Sequence, residues 1–101
     1  MTLRITRQPG WRTRALLMLD GSVVAEWAAV LEQECRRLLR SRSALSLNLA
    51  HVNFVDRAGI EVLGRLSRAG VEIHCPAGPV ASVLEGEGVR LREGKDDGRD
   101  S

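Results

Sequence analysis

The residue types that carry chemistry in enzymes are few in this chain of 101 residues, and they are widely spaced. His51 and Asp56 can be drawn as an acid–base dyad across five residues, but surface and capping roles suit both side chains better. His74 lies in a strand-like alternation, which favours a solvated side chain over a general base. The single lysine, Lys95, lies near the C-terminus and offers no Schiff-base chemistry in a pocket. We therefore expect no catalytic residues and a protein that is not an enzyme.

Two cysteines, Cys35 and Cys75, lie far apart in apolar segments. Neither belongs to a CxxC pair, and neither has metal-ligand spacing to a histidine. The sequence also contains no glycine-rich phosphate loop and no nucleophile elbow. We expect two buried free thiols in a reducing, cytoplasmic environment, with no metal and no cofactor.

The composition permits one aliphatic core and argues against several kinds of partner. Hydrophobic residues make up 44% of the chain, whereas aromatic residues make up 3%, too few for a platform that stacks nucleotide bases. Arginines cluster near the N-terminus and around residues 36–42, but the net charge is only +2 and acidic residues are interspersed. We expect no nucleic-acid partner. No segment is apolar enough for insertion into a membrane.

The N-terminal third predicts a β-hairpin. Leu3–Arg7 alternates apolar and polar residues, as a half-buried strand does. Pro9-Gly10 is a turn signal, and the apolar run Ala15–Leu19 follows, closed by Asp20-Gly21. The first of these two strands is expected at an antiparallel edge of the sheet.

Residues 25–40 have apolar side chains at helical spacing, with Trp27 on the inner side. Glu32 and Arg36 are spaced as an i,i+4 ion pair in the favourable order. Acidic residues come first and arginines later, which complements the helix dipole. These features predict an amphipathic helix that covers a sheet.

The next segment predicts a strand, a loop and a capped helix. Leu45–Leu49 alternates as a strand, and residues 51–55 are expected to form a loop that returns to the core through Phe54. Asp56 is placed to cap the N-terminus of a helix over residues 57–69.

A fourth strand over residues 71–75 and a short helix opening at Pro79 complete the pattern. The sequence thus predicts an α/β fold: a single-domain open mixed sheet of about four strands covered by about three helices. Residues 1–92 are expected to form the domain, and residues 93–101 a disordered charged tail.

One connection stands out as a candidate site. A strand leads through a short loop to Asp56 and then to the first turn of a helix containing Arg57, Ala58 and Gly59. Free amides and a partial positive charge at a helix N-terminus can bind an anion or a phosphorylated side chain. An ordinary capped connection explains the same residues, and the residues alone favour that plainer explanation.

The sequence from Phe54 to Ile60, Phe-Val-Asp-Arg-Ala-Gly-Ile, resembles the signature Phe-(Ile/Val)-Asp-Ser-(Ser/Ala)-Gly-Leu of the STAS family. The resemblance extends over the element order of residues 3–91. It implies the fold predicted above and a protein-binding regulatory module, similar to the anti-sigma factor antagonists, whose partner is an anti-sigma factor and serine kinase of ATPase-type fold. It also implies partner-binding positions at Ser22, Val23, Val24, Asp56, Arg57, Ala58 and Gly59.

The chain differs from the family pattern at the position where members of the family are phosphorylated. The usual phosphoacceptor serine is matched by Ala58, which has no oxygen to accept a phosphoryl group, and the serine before it is replaced by Arg57. Asn48 and Ala50 stand where the family often has aspartate and serine. The resemblance therefore implies an antagonist that is not switched by phosphorylation at Ala58.

Other functions stay open at this point. The motif from Val55 to Ile60 is close to that of STAS proteins that are cytoplasmic subunits of lipid-transport ABC systems, and a stressosome-like scaffold component is a further alternative. A homodimer is compatible with the sequence. A small nucleotide-binding domain is the least favoured reading.

Overall fold

The computed structural model describes residues 2–8, 14–41 and 44–92. The predicted tail (93–101) and the predicted Pro9-Gly10 turn lie outside these residues. The elements in chain order are β1 (Leu3–Gln8), β2 (Arg14–Val23), α1 (Ala25–Ser41), β3 (Ala44–Val55), α2 (Arg57–Arg68), β4 (Glu72–His74) and α3 (Pro79–Gly86).

The four strands form one sheet in the order β1-β2-β3-β4. β1 and β2 are antiparallel, with Ile5 opposite Leu19, whereas β2, β3 and β4 are parallel. The parallel pairs require crossover connections, which α1 and α2 supply. The predicted α/β fold with an antiparallel edge strand is confirmed.

The core lies between one face of the sheet and the two long helices. Alternate residues of β2, β3 and β4 are buried there, among them Leu17, Leu47 and Ile73. From α1 the buried residues include Leu31 and Cys35, and Trp27 packs against the same core from a partly buried position. Both helices run back from the carboxyl ends of the strands to the amino ends, so α1 and α2 lie parallel and in contact.

Two strands are longer than the sequence predicted. β2 continues through Asp20-Gly21 to Val23, and β3 continues through residues 51–55, which the sequence placed in a loop. The pairing of β2 with β3 shifts register after Met18 and again after Gly21. These irregularities break the alternation that predicts a strand. Gly21 has φ +107°, and a Cβ there would overlap the carbonyl oxygen of Thr2, so the strand continues here only because the residue is glycine.

The C-terminal part closes the far edge of the sheet. Arg92 pairs with His74 as a parallel bridge, and its backbone N–H donates to Ile73 at 2.8 Å. Val89 is buried and Leu91 packs against the core. No helix in the described part of the chain is both long and apolar enough to cross a bilayer.

The carboxylate of Glu32 links α1 to α2 by hydrogen-bonded ion pairs. Glu32 accepts two hydrogen bonds from Arg65, at 2.8 and 2.9 Å, and a third from Arg36 at 3.0 Å. The predicted pair of Glu32 with Arg36 is therefore present, and Arg65 extends it to the neighbouring helix. The hydrogen bonds from Arg65 lower the pKa of Glu32 from its ordinary value of 4.5 to about 2, with Arg36 helping and burial opposing.

Substitution of Glu32 tests this clamp, by which we mean the ion pairs of Glu32 with Arg65 and Arg36. We expect Glu32→Gln to lower the free energy of unfolding by about 1–2 kcal/mol at neutral pH, because charge-assisted bonds to two guanidinium groups are lost. The folded-state pKa lies below the unfolded one, so this stabilisation is complete above about pH 4.5 and disappears as the pH falls towards about 2.

Urea unfolding across this pH range measures the effect. The difference between wild type and Glu32→Gln should shrink to near zero at the acidic end. Glu61→Gln is the matched control, because Glu61 is an exposed glutamate on α2 with no ion pair among the described residues. An equal, pH-independent loss in both variants would contradict the clamp.

Candidate functional site

The predicted site lies at the carboxyl ends of β2 and β3, where α1 and α2 begin next to each other. Val23 of β2 and Val55 of β3 are paired at the carboxyl ends of adjacent parallel strands. A single residue, Val24 or Asp56, separates each strand from the following helix. Because both connections are so short, the N-termini of α1 and α2 must lie close together at this edge of the sheet.

Asp56 joins the two helix starts. Its Oδ1 accepts from the Gly59 N–H at 2.9 Å, which is the predicted N-cap of α2. Its Oδ2 accepts from the Ala25 N–H at 3.0 Å, at the first residue of α1. The Asp56 N–H in turn donates to the Val23 carbonyl at 3.2 Å. One carboxylate therefore satisfies a free amide on each helix, and only the cap on α2 was visible in the sequence.

Ala25 adopts a left-handed conformation, with φ +41°, and no other described non-glycine residue has a positive φ. Such a conformation costs a residue with a Cβ about 1–2 kcal/mol. It turns the chain directly from β2 into α1 and directs the Ala25 N–H to Asp56. The strained backbone at Ala25 therefore helps to bring the N-termini of α1 and α2 together.

Removal of the Asp56 side chain should be costly. We expect Asp56→Ala to lower the free energy of unfolding by about 2–3 kcal/mol, because two amides lose their acceptor. Asp56→Asn keeps one acceptor oxygen and should lose about half as much. Thermal or urea unfolding measures both. Asp20→Ala is the control, since Asp20 bonds only His51 at 3.0 Å among the described side chains and is exposed. A loss for Asp56→Ala no larger than for this control would refute the bridging role.

Gly59 lets α2 approach the end of β2. A Cβ built on Gly59 would overlap the carbonyl oxygen of Val23. The backbone oxygen cannot move away without disturbing its hydrogen bond from the Asp56 N–H. The glycine within the first turn of α2 therefore fixes the distance between the two halves of the site.

A pair of glycine substitutions on the same helix tests this contact. We expect Gly59→Ala to lower the free energy of unfolding by about 3 kcal/mol or more, through overlap with backbone. At Gly64 a Cβ would meet Arg68 at 3.5 Å and Val89 at 3.8 Å, which are ordinary contact distances. Gly64→Ala should therefore be neutral or stabilise by up to about 1 kcal/mol. Equal effects of the two substitutions in chemical unfolding would show that Gly59 is not a contact point.

The site residues predicted from the sequence divide into interior and surface groups. Val23 is fully buried, and Ser22 is 5% exposed with its hydroxyl donating to Asn53 at 3.2 Å. Gly59 is also buried. Val24 and Ala58 are half-buried, so they can contribute to a surface.

Arg57 is the most exposed residue of the group. Its side chain is 66% exposed and pairs with Glu87 at 3.1 Å, at the end of α3. No local sequence pattern indicated Glu87, because thirty residues separate it from Arg57. This ion pair borders the candidate site on the α3 side.

The prediction for Phe54 was wrong. This residue was expected to return a loop to the core, yet its side chain is 45% exposed on the strand beside Ser22. Val52 and Val55 are both buried although they are three residues apart. An odd spacing between inward residues requires a bulge, and a bulge turns Phe54 outward. That spacing was a signal in the sequence.

The arrangement does not support catalysis through the groups considered in the sequence. His51 pairs with Asp20, so the dyad drawn with Asp56 is not formed. Cys35 and Cys75 are buried free thiols; burial raises the pKa of Cys35 to about 12 and also raises that of Cys75, which disfavours thiolates. Within the described residues, no group of three metal-ligating side chains comes together.

No protein-family model and no curated protein matches the sequence. Solved structures do. An anti-sigma factor antagonist from Mycobacterium paratuberculosis matches with a TM-score of 0.73 and 16% identity, over 86% of this chain and 79% of that one. The Bacillus cell fate determinant SpoIIAA in its phosphorylated form matches with a TM-score of 0.65 and 15% identity, over 89% and 90%. SpoIIAA in its unphosphorylated form also matches, with a TM-score of 0.61 and 14% identity, over 89% and 88%.

A fourth similar structure is that of a much larger protein. The murine Solute Carrier 26 family member A9 anion transporter matches with a TM-score of 0.61 and 17% identity, over 76% of this chain and 14% of that one. At these identities the comparisons establish architecture. The chain has the STAS fold, the fold of the anti-sigma factor antagonists.

Proposed function

We propose that this protein is a non-catalytic regulatory module that binds a protein partner, of the anti-sigma factor antagonist type, and that it lacks the phosphoacceptor of that type. The observation that carries the proposal is the position of Ala58. It lies two residues after the N-cap Asp56, in the first turn of α2, and is half-buried. A methyl group there offers no oxygen to a kinase.

The surrounding surface has the composition of a small binding site. Phe54 and Arg57 are exposed on either side of Asp56, and Val24 adds apolar area between the helix starts. Aromatic and arginine side chains contribute disproportionately to protein–protein affinity. Because Asp56 and Gly59 hold both helix starts in place, the surface is organised before a partner arrives. Val23 and Ser22 support it from below.

Phosphorylation of a serine at this helix start would add close to two negative charges beside Asp56. A solved form of the similar SpoIIAA is phosphorylated. In the present chain the position that the sequence resemblance matches to the phosphoacceptor is Ala58, next to the cationic, exposed Arg57. We infer that the partner is bound without control by phosphorylation at this position.

Restoring the hydroxyl tests the proposal. The partner is first isolated by co-purification from the native host and identified by mass spectrometry; an anti-sigma factor with kinase activity is expected. Incubated with this kinase and ATP, wild type should gain no phosphate, whereas Ala58→Ser should gain one per chain by intact mass. Arg57→Ser, one residue away, is the matched control for position and should stay unmodified.

Two results would contradict the proposal. Stoichiometric phosphate on wild type would show that another residue serves as acceptor. Failure of Ala58→Ser to be modified, in a variant that still binds the kinase, would show that residue 58 does not occupy the acceptor position.

A second candidate function is that of a STAS subunit in a transport assembly. The observation in its favour is that the same fold forms part of an anion transporter chain. A lipid-transport ABC system is the candidate suggested by the motif from Val55 to Ile60, with Arg57 facing an acidic partner surface. Recovery of a permease or its ATPase in the same co-purification would favour this function over the first.

A further inference from the structure

The end of the molecule opposite the candidate site is rich in arginine. Arg36, Arg37 and Arg40 occupy the last turns of α1, and Arg65 and Arg68 the last turn of α2. Since the two helices are parallel and in contact, these arginines lie together at the amino ends of the strands. Arg40 lies about 22 Å along α1 from Ala25, at 1.5 Å per residue.

The sheet adds more arginines at the same end. Arg14 opens β2 and pairs with Glu72 of β4 at 3.2 Å, and Arg92 pairs with the same carboxylate at 3.5 Å. Arg90 and Arg92 line an open cleft of about 420 Å³ whose other wall includes Gly70, just after α2. Arginines from both helices and from the sheet are therefore grouped towards the same end of the molecule.

We call this region the basic end. It comprises eight arginines, namely Arg14, Arg36, Arg37, Arg40, Arg65, Arg68, Arg90 and Arg92. Four glutamates lie among them, Glu32, Glu34, Glu61 and Glu72, which leaves a formal charge of +4. The other described residues carry five acidic and three arginine side chains, a charge of −2. The small net charge of the chain thus conceals a marked separation of charge.

Helix stability accounts for only part of this pattern. Arginines in a last turn complement the helix dipole, and Arg36, Arg37 and Arg65 are engaged in ion pairs. Arg40, Arg68 and Arg90, however, make no ion pair with any described residue. Arg40 lies on α1, Arg68 on α2 and Arg90 in the segment after α3, and dipole compensation gives no reason for Arg90, which is in no helix.

The chemistry of these side chains indicates what they bind. A guanidinium presents paired donors that match the two oxygens of a carboxylate. Two arginines of the basic end already bind in this way: Arg65 reaches both oxygens of Glu32, and Arg37 both oxygens of Glu34.

The surroundings argue against two other anionic partners. The large apolar side chains that are exposed in the described residues, Val30, Phe54 and Val83, lie outside the basic end, so it offers no anchor for a bilayer. Trp27 and Phe54, the two aromatic residues within the described parts, also lie elsewhere, so nucleotide bases have no stacking partner there.

We propose that the basic end is a second docking surface, which binds an acidic segment of a protein partner. The segment presents carboxylates to Arg40, Arg68 and Arg90. A molecule with two such surfaces connects two proteins, one at each end of its helices.

The experiment measures binding of a fluorescein-labelled, glutamate-rich peptide to the full chain by anisotropy, with a glutamine-rich peptide of equal length as the blank. Arg40→Gln should weaken binding about threefold, and Arg40→Gln combined with Arg68→Gln about tenfold. Arg4→Gln removes one charge from β1 and should change binding less than about 1.5-fold, which makes it the matched control for Arg40→Gln. All three variants must keep the wild-type melting temperature, which is expected because the three side chains are exposed.

Three outcomes would overturn the proposal: equal weakening by Arg40→Gln and Arg4→Gln, no binding of the glutamate-rich peptide by wild type, or tighter binding to another anion. For the last, vesicles containing phosphatidylserine and a short DNA duplex are titrated at the same ionic strength. The partner of the candidate site takes no part in these measurements, so their result is independent of the function proposed for that site.

Discussion

The structure depends on the two hydrogen bonds that the Asp56 carboxylate accepts, one from each of the two long helices. The carboxylate accepts these amide hydrogens at the place where adjacent parallel strands end. Two helix N-termini brought side by side place two partial positive charges close together, and a carboxylate between them stabilises that arrangement. The close approach of Gly59 to Val23 and the left-handed Ala25 follow from the same requirement. Each would be unfavourable in isolation.

In this site, the residues that hold the structure together differ from the residues that a partner would contact. The groups that set the geometry, the Asp56 carboxylate and Gly59, are partly or fully buried, whereas Phe54 and Arg57 face outward. A partner therefore meets a surface whose shape is set by buried residues. Substitution of the buried group alters stability, and substitution of the outer group alters recognition with little change in stability. The two effects can be distinguished experimentally.

The sequence was sufficient for the features that depend on local pattern. Helical periodicity located α1, and the carboxylate before a helical segment located the cap on α2. It failed where pairing between strands overrides local pattern. The register shifts near Gly21 lengthen β2 and β3 and turn Phe54 outward, and a shift in pairing depends on two strands at once. The bonds from Asp56 to Ala25 and from Arg57 to Glu87 join residues about thirty positions apart, so no local window contains them.

The spacing between the two ends of the helices has an electrostatic consequence. α1 has seventeen residues and is about 25 Å long. At physiological ionic strength the Debye length is about 8 Å, so a charge placed at one end is almost fully screened at the other. Ligands held at the two ends would neither attract nor repel each other through the solvent. Any cooperativity between them would have to pass through the packing of the helices, where Glu32 and Arg65 couple α1 to α2. Without a change in that packing, the two ends are thermodynamically independent.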